Sequence, residues 1–179
     1  AVEELGWHPE PSLANTWPHN TVQERWSGTY KSVARASMYQ SGIPQNGWDC
    51  VTAHTAIALG ITQKAPILPW EKDAAGNVLA MCKDKARQTC WTAFHNGEEF
   101  QGPFEPFGRL VYYYNKDVHT LAPTTSPGIF IGWRLESGMR FRNVLLIADY
   151  DKVRLGVFKA EYVKKVPTKE VFFPEKLVF

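Results

Sequence analysis

Three charged side chains recur at helical spacing in TVQERWSGTYKSVAR: Glu24, Lys31 and Arg35. At about 100° per residue, Lys31 and Arg35 each fall within about 20° of Glu24. One helix face would then carry a carboxylate followed by two cations. A carboxylate at a helix start supplies one oxygen ligand for a hard divalent ion, and cations further along that face meet a phosphate backbone. The same pattern also describes a solvated face with weak charge pairing, worth about a few tenths of a kcal/mol, and a first-turn acid favoured by the helix dipole. Geometry alone supplies no second carboxylate, so the metal reading needs acids from elsewhere.

A second basic set lies in GWRLESGMRFR, where Arg134, Arg140 and Arg142 cluster around a hairpin signal, with Lys164, Lys165 and Lys169 further on. Such residues contact phosphates without reading sequence. Equally, their stems can cover aromatic surface while their heads stay solvated. Tyr112, Tyr113 and Tyr114 suggest base stacking, but strand alternation should bury at least one of them.

Other chemistries are poorly served. Cys50, Cys82 and Cys90 form no C-x-x-C pair, and the histidines at 8, 19, 54, 95 and 119 form no ligand-spaced pair. The cysteines read as reduced thiols of an intracellular protein, with Cys50 packed inside a helix. Gly128, Gly132 and Gly138 read as turn or bulge glycines, because no helix follows them as a phosphate loop requires.

These residues must be positioned by helices first and strands later. A helix is expected from Thr21, as N-cap, to about Ser41, stopped by Gly42 with Pro44 beyond. Its buried side is expected to be Val22, Trp26 and Val33, with Tyr30 at the edge and the Glu–Lys–Arg stripe nearly opposite. Residues 46–59 predict a second helix, with Trp48, Val51, Thr55, Ala58 and Leu59 at its spacing and Gly60 as its end. Residues 61–103 read as an irregular connector punctuated by Pro66, Pro69, Gly76, Gly97 and Pro103. After Pro106, GRLVYYYN, GIFIGWRL, NVLLIADY and VRLGVFKAEYVKKV predict four or five short strands, with Ile129, Ile131 and Trp133 on one face. Strands this short and close suggest a small closed β-barrel.

Composition agrees with a folded domain. Hydrophobic residues make up 44% of the 179, charged residues 21%, and seven Trp, seven Tyr and ten Phe can fill a core. The net charge of +2 is too small to announce a polyanion binder. Residues 1–100 hold 8 Lys/Arg against 10 Asp/Glu, however, and residues 101–179 hold 12 against 8. The later half is the basic one, which favours a polyanionic partner there. No apolar run approaches the roughly 18 residues of a membrane span. AVEELGWHPEP lacks a secretory apolar block, and the chain opens without Met, as a processed or partial product would.

The segment PHNTVQERWSGTYKSVARASMYQSGIPQNGWDCVTAHTA resembles the end of the integrase catalytic core of copia-type retrotransposons. There a P-x-x-N-x-x-x-E-R loop opens the last acid-bearing helix, followed by Arg, Gly-x-Pro and an aromatic residue. This chain supplies Pro18, Asn20, Glu24, Arg25, Arg35, Gly42, Pro44 and Trp48, with the Pro-to-Asn gap one residue shorter. PFEPFGRLVYYY and SPGIFIGWRLESGMRF resemble the P-F-G-x-x-V-Y and G-I-F-x-G-Y segments of the SH3-like barrel that follows the core. The resemblance covers most of residues 1–165.

It implies an α+β chain with three parts. Residues 1–60 would be the mainly helical C-terminal part of an RNase H-like core, 61–103 a connector, and 104–179 a small SH3-like β-barrel and tail. It implies DNA strand transfer by the intact Pol polyprotein product, using Mg²⁺ or Mn²⁺ held by two Asp and one Glu, in the nucleus. Glu24 matches the third acid, as catalytic residue and metal ligand. Asn20 and Lys31 match DNA-contacting positions, Arg35 continues their stripe, and Arg134, Arg140 and Arg142 would add contacts from the barrel. Both Asp positions would precede Ala1, and Glu3, Glu4 and Glu10 match neither. This chain alone is therefore expected to be inactive, to bind no metal, and to retain DNA binding. The alternative is a non-catalytic interaction subunit whose exposed core face is covered by other protein subunits.

Overall fold

The computed structural model describes residues 21–64, 88–116, 121 and 123–176. It is a mixed α+β structure in which a helical layer lies on an antiparallel sheet. Helix α1 (Thr21–Ser41) ends where Gly42 turns into the left-handed region at φ 64°. The Ser41 hydroxyl closes that end, donating to the Met38 carbonyl at 2.9 Å and accepting from the Ile43 amide at 3.2 Å. Pro44 and a 3₁₀ turn at Gln45–Gly47 then lead into α2 (Trp48–Thr62). Gly60 does not end α2 as expected. Burial of Leu59 on the same turn offsets the roughly 1 kcal/mol that an interior glycine costs.

The packed stripe of α1 is Tyr30, Ala34, Met38 and Ser41, and not Trp26 and Val33. Ala34 is buried with Ile43 and Val51, and the Tyr30 hydroxyl donates to the Thr52 carbonyl at 2.9 Å. Trp26 is 48% exposed and stacks on Tyr30. The buried face is thus turned by about a quarter of the wheel. The physical reason is size: small Ala34 allows the close approach to α2 that Trp26 would block. Lys31 and Arg35 therefore flank the packed face instead of opposing it.

Thr89 caps the short helix α3 (Cys90–Phe94) by accepting from the Thr92 amide at 3.1 Å, and Lys64 and Thr89 form an isolated antiparallel bridge. The strands are β1 (Leu110–Tyr114), β2 (Thr125–Glu136), β3 (Arg140–Asp149), β4 (Val163–Pro167) and β5 (Val171–Phe172), ordered β4-β3-β2-β1-β5. Between β3 and β4, where strands were expected from Val153 onward, Asp149 caps a short helix α4 (Tyr150–Arg154) by accepting from the Lys152 amide.

Among the described residues β4 and β5 do not pair, so the sheet is not a closed barrel. Yet these two edges are joined by only Thr168–Glu170, a span of at most about 14 Å. The sheet must therefore curl until its edges nearly meet. Inside the curl lie Val111, Tyr113, Phe130, Trp133, Leu145, Ile147 and Val166. Outside it, Ile129, Ile131 and Ala148 pack with Ala34, Ile43 and Val51, so helices and sheet share a core. Trp133 was expected beside Ile129 and Ile131. A register shift between Phe130 and Gly132 turns it to the Phe130 side instead, where its indole donates to the Pro103 carbonyl at 2.8 Å.

Two buried polar side chains knit the core, and the second also ties helix to sheet. The Arg109 guanidinium pairs with Glu105, donates to the Pro174 carbonyl and lies over Phe173, so it fastens the chain end to β1. His54 of α2 stacks on Trp133 with ring centroids 4.8 Å apart and presents Nε2 to the Glu105 carbonyl at 3.2 Å. A carbonyl only accepts, so Nε2 carries the proton, and Nδ1 is buried without a partner among the described residues. Burial pushes the pKa of His54 down to about 4, against the smaller opposing effect of the Glu105 hydrogen bond.

Candidate nucleic-acid interface

Glu24 occupies the first turn of α1 and is exposed. Among the described residues no group of three or more His, Cys, Asp or Glu side chains is placed to hold a metal ion. The described side chains therefore do not fit a two-ion centre, and no chemical step is derived through one. Asn20 lies outside the described residues. Cys50 offers no alternative nucleophile: burial, with the neighbouring Asp49 charge, pushes its thiol pKa up and away from the reactive thiolate.

The five remaining candidates are all exposed, but they fall into separate groups. Lys31 and Arg35 line a groove of about 550 Å³ between α1 and α2, together with Ala34, Met38, Ile43 and Trp48. Arg140 and Arg142 line a different cleft of about 610 Å³ beside α3, with His95, Glu98, Glu99 and Phe141. Arg134, on β2, borders neither. Arg142 Nε pairs with Glu136 at 2.9 Å, an exposed contact worth at most about 1 kcal/mol. Lys31, Arg35, Arg134 and Arg140 enter no ion pair among the described residues. Of the later lysines, Lys164 lies over the Tyr113 ring, whose side chain is buried, while Tyr112 and Tyr114 face outward.

The hairpin cleft contains a device that sequence reasoning missed. Nδ1 of His95 faces the Trp91 carbonyl at 2.9 Å and Nε2 faces the Met139 carbonyl at 3.2 Å. The ring is stacked on Trp91, itself packed edge-on against Phe100. His95 thus bridges α3 to the turn at Ser137–Met139, which precedes Arg140. The available signal was WTAFH, with Trp91 and His95 one helical turn apart. Exposed Tyr39 and Trp48 of the helix groove were missed too, because helical spacing assigned Trp48 to the buried side.

No protein family, no curated protein and no solved structure is matched by the chain. Among the described residues no helix is long and apolar enough to cross a membrane.

Proposed function

We propose that this chain is a DNA-binding part of a copia-type integrase, comprising the end of its RNase H-like core and its SH3-like barrel, without catalytic activity of its own. The observation that carries the reading is the set of exposed cations, Lys31, Arg35, Arg134 and Arg140, which have no ion-pair partner among the described residues. Uncompensated cations can neutralise backbone phosphates and so release the counterions condensed on them into solution. The curled five-stranded sheet, whose edges are joined by a three-residue 3₁₀ turn, supports the barrel part. That no metal-holding group of side chains is found with Glu24 among the described residues supports a chain without catalysis of its own, and DNA strand transfer belongs to the intact polyprotein product in this reading.

The test is a titration of the chain with duplex DNA at several salt concentrations. Binding is expected to weaken steeply with salt and to depend little on sequence. Arg140→Ala with Arg142→Ala should lower the log–log salt slope by about one to two. Absence of binding at low salt would end the DNA reading.

A second reading is favoured by a different observation. Tyr39 is 89% and Trp48 61% exposed on adjoining parts of the helical layer, which suits an interaction subunit covered by another protein.

A further inference from the structure

We propose that the groove between α1 and α2 is a docking site for an acidic amphipathic helix. The inference does not depend on DNA binding. The floor of the groove is aliphatic: buried Ala34, Ile43 and Val51, with partly buried Met38 beside them. Tyr39 and Trp48 form exposed walls, and Lys31 and Arg35 supply the charge. Among the described residues no Asp or Glu lines it. The groove has a volume of about 550 Å³.

Two features choose the occupant. First, the two hydroxyls near the floor are already engaged. The Tyr30 hydroxyl donates to the Thr52 carbonyl, and the Thr52 hydroxyl donates to the Asp49 carbonyl at 2.7 Å. The floor therefore offers apolar contact and little hydrogen bonding, which suits Leu-like anchors better than base edges. Second, Lys31 and Arg35 are one helical turn apart on α1, so their charges form a row about 5–6 Å long at the helix surface. Two carboxylates at the same i, i+4 spacing on a partner helix complement that row. Apolar residues at i, i+3, i+4 and i+7 of the same helix would enter the groove. Such a helix would also cover Tyr39 and Trp48.

The experiment uses the full chain and a synthetic, fluorescently labelled helix of about 15 residues, with Leu at the anchor positions and Glu pairs beside them. Anisotropy should report saturable binding, and the Trp48 indole resonance should shift. Lys31→Glu with Arg35→Glu should weaken binding at least tenfold and create affinity for the same peptide carrying Lys in place of Glu. Trp48→Ala should also weaken it about tenfold, without moving the salt slope for duplex DNA. Peptide binding should persist in the Arg140→Ala/Arg142→Ala variant whichever way the DNA titration falls. No binding of the acidic peptide, equal binding of its Lys counterpart, or occupation of the groove by an oligo-dT strand in its place would overturn the proposal.

Discussion

The helix groove and the hairpin cleft are similar in size, and each displays two cations, but their surroundings differ. Among the described residues the groove beside Lys31 and Arg35 is lined mainly by aliphatic and aromatic side chains and by no acid. Around Arg140 and Arg142 lie Glu98 and Glu99, and Arg142 already holds Glu136. Formal charge is therefore a poor guide to which pair meets a polyanion. In the groove, desolvated apolar surface reinforces the recognition of a partner that is both apolar and acidic. In the cleft, the two glutamates lower the local potential and leave phosphate contact as a weak, screened interaction. The groove suits a built contact, and the cleft suits steering.

The comparison holds only if both regions belong to one cooperative unit, and Gly108 tests that. Its φ of 84° is in the left-handed region, and a Cβ there would sit 2.1 Å from the Ser41 Cβ and 2.7 Å from the Ser41 Cα. Ser41 ends α1, while Gly108 donates its amide to Phe130 of β2. Gly108→Ala should cost about 3–5 kcal/mol, from backbone strain together with overpacking. Urea unfolding should remain a single transition, followed equally by helix and by sheet signals. Two separated transitions would split the molecule between its helices and its sheet, and the clefts would then have to be treated independently.

A smaller effect comes from His54, which joins α2 to the strand that bears Arg134. The folded ring stays neutral down to about pH 4, whereas in the unfolded chain it charges near its ordinary value of about 6.5. The stability it carries is complete above pH 6.5 and declines as the pH falls toward 4, by about 3 kcal/mol. His54→Phe should flatten that part of the profile relative to the parent chain. It should also cost about 1–2 kcal/mol at neutral pH, since the Glu105 carbonyl loses its donor. An unchanged difference between parent and variant across this window would mean that the ring is not buried neutral.

The hairpin side can be sharpened by removing its acids. Glu98→Gln with Glu99→Gln should tighten duplex DNA binding about threefold at low salt, with the gain vanishing as salt rises. The same pair should leave peptide binding at the groove unaltered. Equal tightening at high salt would point to a direct contact and not to a field.

Local chemistry made much of this legible. Gly42 as the stop of α1, the hairpin from Gly128 to Asp149 with its arginines, and the burial of one central tyrosine follow from turn residues and alternation. What escaped depends on long-range packing. A helix wheel weighted by hydrophobicity put Trp26 inside, because nothing local reveals that Ala34 lets α2 approach. The bulge at Gly132 moved Trp133 across the sheet, since one inserted residue reverses every later side chain. The cleft around His95 was illegible for the same reason: Met139, its second partner, is 44 residues away in sequence.

The smallest expected effect concerns Glu24, the residue that invited a catalytic reading. It is exposed in the first turn of α1, and no group of metal-ligating side chains surrounds it among the described residues. Glu24→Gln should remove only its favourable interaction with the helix N-terminus, about 0.3–1 kcal/mol. Thermal melting should fall slightly, and Mg²⁺ or Mn²⁺ should shift neither the parent nor the variant. Duplex DNA binding should stay the same or tighten slightly, because one negative charge leaves the helix that carries Lys31 and Arg35. A metal-dependent rise in melting temperature that the variant lacks would show Glu24 holding an ion with ligands from beyond the described residues. The contrast would then gain a third region, and α1 would carry chemistry at its start as well as binding along its flank.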